Sequence, residues 1–210
     1  MIIFLEPKPE EGIMRTTFFV ISLFFTLICT TATVFGQNYH STEIEISFQD
    51  DVIGINTLGY AELGMYEQGN YANSLFMFTS ISENFSQLYG GLTMSVGELS
   101  AGAGAGITNE TNLRTALFAS WTEEYYMFSA VGEMDWNEED AKENFFYKIK
   151  FLAHDPENIF AGGWVFRRFS GLGPLFEFKF GKHLTIWGAP GMWDVIETGN
   201  ISSMFGFRLD

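Results

Sequence analysis

From residue 43 to residue 209 the chain repeats one pattern: apolar and polar residues alternate along short segments, and each segment ends in a turn. Glu43-Ile44-Glu45-Ile46-Ser47-Phe48 alternates without a break. Leu113, Thr115, Leu117, Ala119 and Trp121 fall opposite Arg114, Ser120 and Thr122. Phe145, Tyr147, Ile149 and Phe151 fall opposite Lys148 and Lys150, and Phe176, Phe178 and Phe180 opposite Glu177 and Lys179. A period of two places one set of side chains on each face of a β-strand, whereas a helix needs a period near 3.6. The pattern predicts strands at 43–49, 56–66, 73–81, 87–97, 99–107, 113–122, 125–136, 144–152, 159–169, 173–181, 184–188 and 202–209. That is about 12 strands, or 8 to 10 if weak segments merge. The weakest is 184–188, because Pro190 and Gly191 follow it and proline cannot donate to a β-ladder. Outward loops are expected at 50–55, 82–86, 108–112, 137–143, 170–172 and 189–201, the last being the longest and carrying Trp193 and Asp194. Helix is confined to a turn or two at 137–144.

Composition narrows what such strands can build. Charged residues make up 18% of the chain and aromatics 17%, against roughly 25% charged in ordinary soluble domains. A two-sided sheet in water usually needs a more charged outer face. The formal charge of -15 argues against a nucleic-acid partner, since phosphate backbones are bound by Lys and Arg. The single cysteine, Cys29, lies in the leader described next. The remainder therefore has neither disulfides nor thiolate metal ligands.

Residues 1–36 read as a leader and 37–210 as one β-barrel domain. Met14-Arg15 supplies a short positive start, Phe18 to Ile28 an apolar run, and Val34-Phe35-Gly36 a small-residue end. This is the plan of a cleaved secretory signal peptide, with Met14 as a candidate true start. The apolar run is short for a spanning helix, which needs about 20 residues.

Leader, alternating strands and aromatic strand ends together resemble a bacterial outer-membrane β-barrel of the Gram-negative envelope. The final strand, with Phe205, Phe207 and Leu209 on one face, is similar to the terminal strand by which such barrels are recognised for assembly, although it ends on Asp210. The resemblance is to an architecture and carries no family motif. It implies an all-β, antiparallel up-and-down transmembrane barrel in the outer membrane, porin-like or structural. Outer-membrane lipid and the barrel-assembly machinery would be its partners. The alternative is an exported soluble lipocalin-like protein binding an apolar ligand. A membrane barrel would carry its aromatics on the outward face, a lipocalin in its cavity.

The polar faces collect the candidate functional residues. Eight of the nine bases after residue 36 lie beyond residue 141, while Glu43, Glu45, Glu62, Glu133 and Asp135 lie on earlier strands. The lumen-facing charged candidates are Glu62, Glu133, Asp135, Lys148, Lys150, Arg167, Glu177, Lys179 and Arg208. A closed barrel would set a basic wall against an acidic one, a field that tunes solute selectivity. The plainer reading is that the charges pair and fill the interior. Ala101 to Gly106 alternates Ala with Gly, as expected of a slim strand packed beneath bulky neighbours. No G-x-S-x-G, H-E-x-x-H or phosphate-loop pattern occurs, so no enzyme activity, catalytic residue, metal or cofactor is assigned.

Overall fold

The computed structural model describes residues 38–49, 52–83, 85–110, 112–136, 144–155, 157–194 and 199–210. The leader assigned to 1–36 lies outside the described residues, as does the helical turn expected at 137–144 except for its last residue, Asn144. Twelve strands follow one another: β1 (Asn38–Gln49), β2 (Val52–Gln68), β3 (Tyr71–Ser82), β4 (Ser86–Val96), β5 (Leu99–Thr108) and β6 (Leu113–Thr122). The second half continues with β7 (Tyr126–Asp135), β8 (Phe145–His154), β9 (Phe160–Arg167), β10 (Gly171–Phe180), β11 (Leu184–Trp193) and β12 (Ile201–Leu209).

Each strand pairs antiparallel with the next, and β12 pairs with β1, so the sheet closes. The closing seam runs from Thr42 opposite Leu209 to Gln49 opposite Ser202. Closure satisfies the ladder groups that an open sheet would leave bare at its edges. Because the strand number is even, residues 38 and 209 share one rim. That near rim carries the turns at 69–70, 97–98, 123–125, 155–159 and 181–183. The far rim carries the opposite strand ends and, among the described residues between them, 83, 85, 109–110, 112, 136, 144, 168–170, 194 and 199–200.

The alternation sorts residues opposite to the way a water-soluble barrel would. Leu117 is 67% exposed, Ile44 44%, Phe178 40% and Phe151 39%, whereas Asp135 is 2% exposed and Glu45 and Glu177 are each 3%. The register lines up outward apolar pairs across the seam, Ile44 with Phe207 and Ile46 with Phe205. Large exposed apolar side chains occur on every strand. Soluble monomers rarely expose contiguous apolar patches beyond a few hundred Å², and a lipid-facing barrel requires such a surface.

Strand existence and order match the sequence reading, and two segments depart from it. β11 runs to Trp193 instead of stopping at residue 188, which takes residues 189–193 out of the loop assigned to 189–201. Pro190 is accommodated because the register with β12 shifts between Ala189 and Met192, which lifts the proline out of the ladder. Gly191 completes the bulge at a φ of 64°, a conformation that glycine adopts without steric cost. β2 likewise begins at Val52, which removes most of the loop assigned to 50–55.

The interior is unevenly filled. On the β8–β12 side Leu152, Val165, Leu175, Trp187, Met192 and Met204 form one buried cluster. Opposite it, Phe76, Tyr89 and Ala116 form a smaller one, backed by Tyr60, Phe78 and Phe118. The glycines of β5 face inward beneath this second cluster. A Cβ on Gly102 would strike the Phe118 ring, and one on Gly104 would stand 2.6 Å from the Phe76 ring. Phe76 and Phe118 meet edge to face over that floor with centroids 5.1 Å apart.

Candidate functional site in the barrel interior

A cavity of about 810 Å³ occupies the half of the barrel nearer the far rim. Its walls come from β1–β4 and β6–β9, with Tyr60, Phe76, Phe78, Tyr89, Phe118 and Phe146 as the aromatic lining. Phe85, Asn144 and Phe169 line it at the connections of that rim. Alternation explains the lining: residues 76 and 78 of β3 share a parity, as do 58 and 60 of β2 and 116 and 118 of β6. Strand β3 is apolar on both faces, Leu75 and Met77 pointing outward, so period two alone does not tell which of its faces meets the interior.

Charged groups bound the cavity on two sides. On the first, Glu45 of β1 meets Arg167 of β9, Oε1 to Nη1 2.5 Å. Lys148 of β8 approaches the other oxygen, Oε2, at 3.7 Å. β9 and β8 lie four and five steps from β1 around the closed sheet, so the ion pairs cross part of the interior instead of joining neighbouring strands. Lys148 also sits 5.5 Å from the centre of the Trp187 ring, a cation–π distance. On the second side, Arg114 of β6 donates from Nε to Asp135 Oδ2 at 3.0 Å and from Nη1 to Gln87 Oε1 at 3.1 Å. Its Nη1 stands 3.8 Å from Glu133 Oε2. Tyr89 donates to the same Glu133 oxygen at 3.0 Å. Arg114 lies only one-fifth exposed, and the network satisfies charges that would be costly to bury alone.

The remaining candidates lie nearer the termini. Lys150 donates to Glu177 Oε1 at 2.9 Å, and Arg208 Nη2 stands 3.7 Å from Glu177 Oε2. Glu62 accepts from Thr93 Oγ1 at 2.7 Å and from the Tyr60 hydroxyl at 3.0 Å. Lys179 is exposed near the end of β10. The structure thus gathers Lys148 and Arg167 at the cavity, with Glu133 and Asp135 on its other side. Lys150, Glu177 and Arg208 form a separate group, with Glu62 and Lys179 apart from both. Two central members were missing from the candidate list. Glu45 had been read only as part of an acidic wall, and Arg114 is the one base before residue 142 in the described chain. Its polar-face position in β6 was the available signal.

On the β2–β7 arc below the cavity the inner face changes character. It carries small polar side chains, among them Ser74, Thr93, Ser95, Ser100 and Ser120, with Ser95 donating to Ser100 at 3.0 Å. The interior therefore holds an aromatic cavity toward the far rim, ion pairs beside it and hydroxyl side chains on the β2–β7 arc below.

No family model matches the chain, and no curated protein matches it. Solved structures do. A chain from work on "the Mechanism Behind the in-meso Crystallization of Membrane Proteins" aligns with a TM-score of 0.52 at 12% identity, over 81% of this chain and 83% of its own. The KdgM porin aligns with a TM-score of 0.49 at 8% identity, over 81% and 98%. The NanC porin aligns with a TM-score of 0.45 at 10% identity, over 82% and 100%. At 12% identity the first of these likenesses is one of fold alone, a closed antiparallel barrel. A lipocalin barrel has eight strands, so the twelve-stranded closure does not favour that alternative.

Proposed function

We propose that the chain is an integral outer-membrane β-barrel that forms a narrow passage for small solutes. Lipid surrounds its apolar exterior, and its vestibule opens at the rim away from the termini. The supporting observation is the reversed distribution of polarity: Ile44, Leu117, Phe151 and Phe178 are exposed while Glu45, Asp135 and Glu177 are buried. A bilayer stabilises that arrangement and water does not. The porin likenesses are in keeping with this reading. The leader would export the chain, and the barrel-assembly machinery would receive its aromatic last strand.

Within the passage, Glu45, Lys148 and Arg167 would form the constriction, since their ion pairs cross part of the interior. A bridge of that kind narrows the path and leaves charged groups at its edge, the arrangement by which pores select among ions. Two measurements test the reading. Carbonate washing of membranes should leave the full-length protein in the pellet. In planar bilayers the purified barrel should give small conductance steps, and Arg167→Ser, which removes half of the bridge, should enlarge them. Release by carbonate overturns the membrane assignment. Silence of both wild type and Arg167→Ser in bilayers overturns the passage and leaves an envelope-structural role.

A further inference from the structure

The cavity is larger than a passage for ions and water needs, and its walls are of the wrong chemistry for that alone. A volume of about 810 Å³ falls in the range of sites for small organic molecules, roughly 300–1,000 Å³. Its aromatic lining would be poorly solvated by water alone. The two charged sides are not equivalent. Arg114 donates to Gln87 and Asp135 and stands beside Glu133. On the other side two cations share a single carboxylate. Arg167 takes Glu45 Oε1, and Glu45 Oε2 has no hydrogen-bond partner, with Lys148 only 3.7 Å away. An ammonium group carries three donors, and at that distance Lys148 holds a loose ion pair in place of a hydrogen bond. Lys148 therefore has donors to spare at this corner, against an aromatic wall, with Glu133 lining the same cavity on the Arg114 side.

We infer that this cavity is a binding site for amphipathic monocarboxylates, molecules with an aromatic or short acyl body and one acid group. The body lies among Phe76, Phe78 and Phe118, and the carboxylate accepts from Lys148 beside Arg167. The added anion would give Lys148 a close charge-assisted acceptor in place of its loose share in Glu45. Discrimination follows from the same geometry. A neutral analogue keeps the aromatic contacts and loses the charge-assisted hydrogen bond. An ammonium analogue meets Lys148 as a like charge. The inference rests on the far rim being open to solution, as the proposed passage requires.

The test uses the full barrel in phosphatidylcholine nanodiscs, titrated calorimetrically with 1-naphthoate, 1-naphthalenemethanol and 1-naphthylmethylammonium, and corrected with empty nanodiscs. Naphthoate should bind about tenfold more tightly than the alcohol, and the ammonium compound most weakly. Lys148→Gln should bring the acid-to-alcohol ratio close to one. Ala116→Trp, which fills the cavity, should abolish binding of both while the barrel keeps its heat-modifiable gel migration. Equal binding of acid and alcohol, an unchanged ratio in Lys148→Gln, retained binding in Ala116→Trp, or no binding by the folded wild type each overturns the inference. The two readings fail separately: a barrel that conducts and resists carbonate but ignores naphthoate keeps its passage and loses this site.

Discussion

Gly104 of β5 and Phe76 of β3 face each other with no room for a side chain between them, a Cβ at residue 104 standing 2.6 Å from the ring. The two residues are separated in the sheet by β4, where Gly91 is equally bare against the same ring. Phe76 thus lies flat across two strands because both present hydrogen where others present carbon. The alternating glycines of β5 serve packing.

A first prediction follows from that contact. Gly104→Val forces Phe76 from its seat and should destabilise the barrel by about 1–3 kcal/mol. Ala103→Val, one residue away on the outer face, should be nearly silent. Urea unfolding of both variants from lipid vesicles, followed by tryptophan fluorescence, checks the contrast.

The exterior gives a second. Leu117, near the middle of β6 and 67% exposed, should tolerate charge poorly if lipid surrounds it. Leu117→Arg should cost about 2–4 kcal/mol in a bilayer. In a soluble barrel the same exposed substitution would be within about 0.5 kcal/mol of neutral. Unfolding from phosphatidylcholine vesicles separates these outcomes.

The Glu45 bridge gives a third. Glu45→Gln leaves Lys148 and Arg167 without the carboxylate that both approach. The passage should then favour anions more strongly. The reversal potential across a potassium chloride gradient should move toward that of chloride, and an unmoved potential would place the bridge off the conducting path.

The bulge gives a fourth. Gly191 sits at a φ of 64° with open space around its α-carbon. Gly191→Ala should therefore cost only the backbone term, about 1–2 kcal/mol. Gly97, at a φ of 59° in the turn after β4, should give a similar loss, measured in the same unfolding assay.

Much of the fold was legible in the alternation, because strand faces follow from parity alone. Parity also aligned Glu133 with Asp135 and Lys148 with Lys150 on single faces. What it does not carry is contact across the interior. Glu45 and Arg167 lie 122 residues apart, and their meeting depends on how far the sheet shears before it closes. The aromatic cavity was hidden for a different reason. Both faces of β3 are apolar, so Phe76 and Phe78 could not be told from Leu75 and Met77 by pattern. Aromatics in fact occupy the interior as well as the outer face, which blurs the contrast that separates membrane barrels from lipocalins. The far end of β11 was hidden by Pro190, whose usual role as a strand breaker is cancelled by the bulge that absorbs it.

The seam between β1 and β12 sets a condition on how this molecule comes into being. β1 gains its second neighbour only when β12 pairs with it, so a partly formed sheet keeps two sticky margins until then. A copy truncated before residue 201 would keep them permanently, ready to recruit any extended peptide nearby. Sealing the ring is thus the step that removes the last template on which a foreign strand could grow.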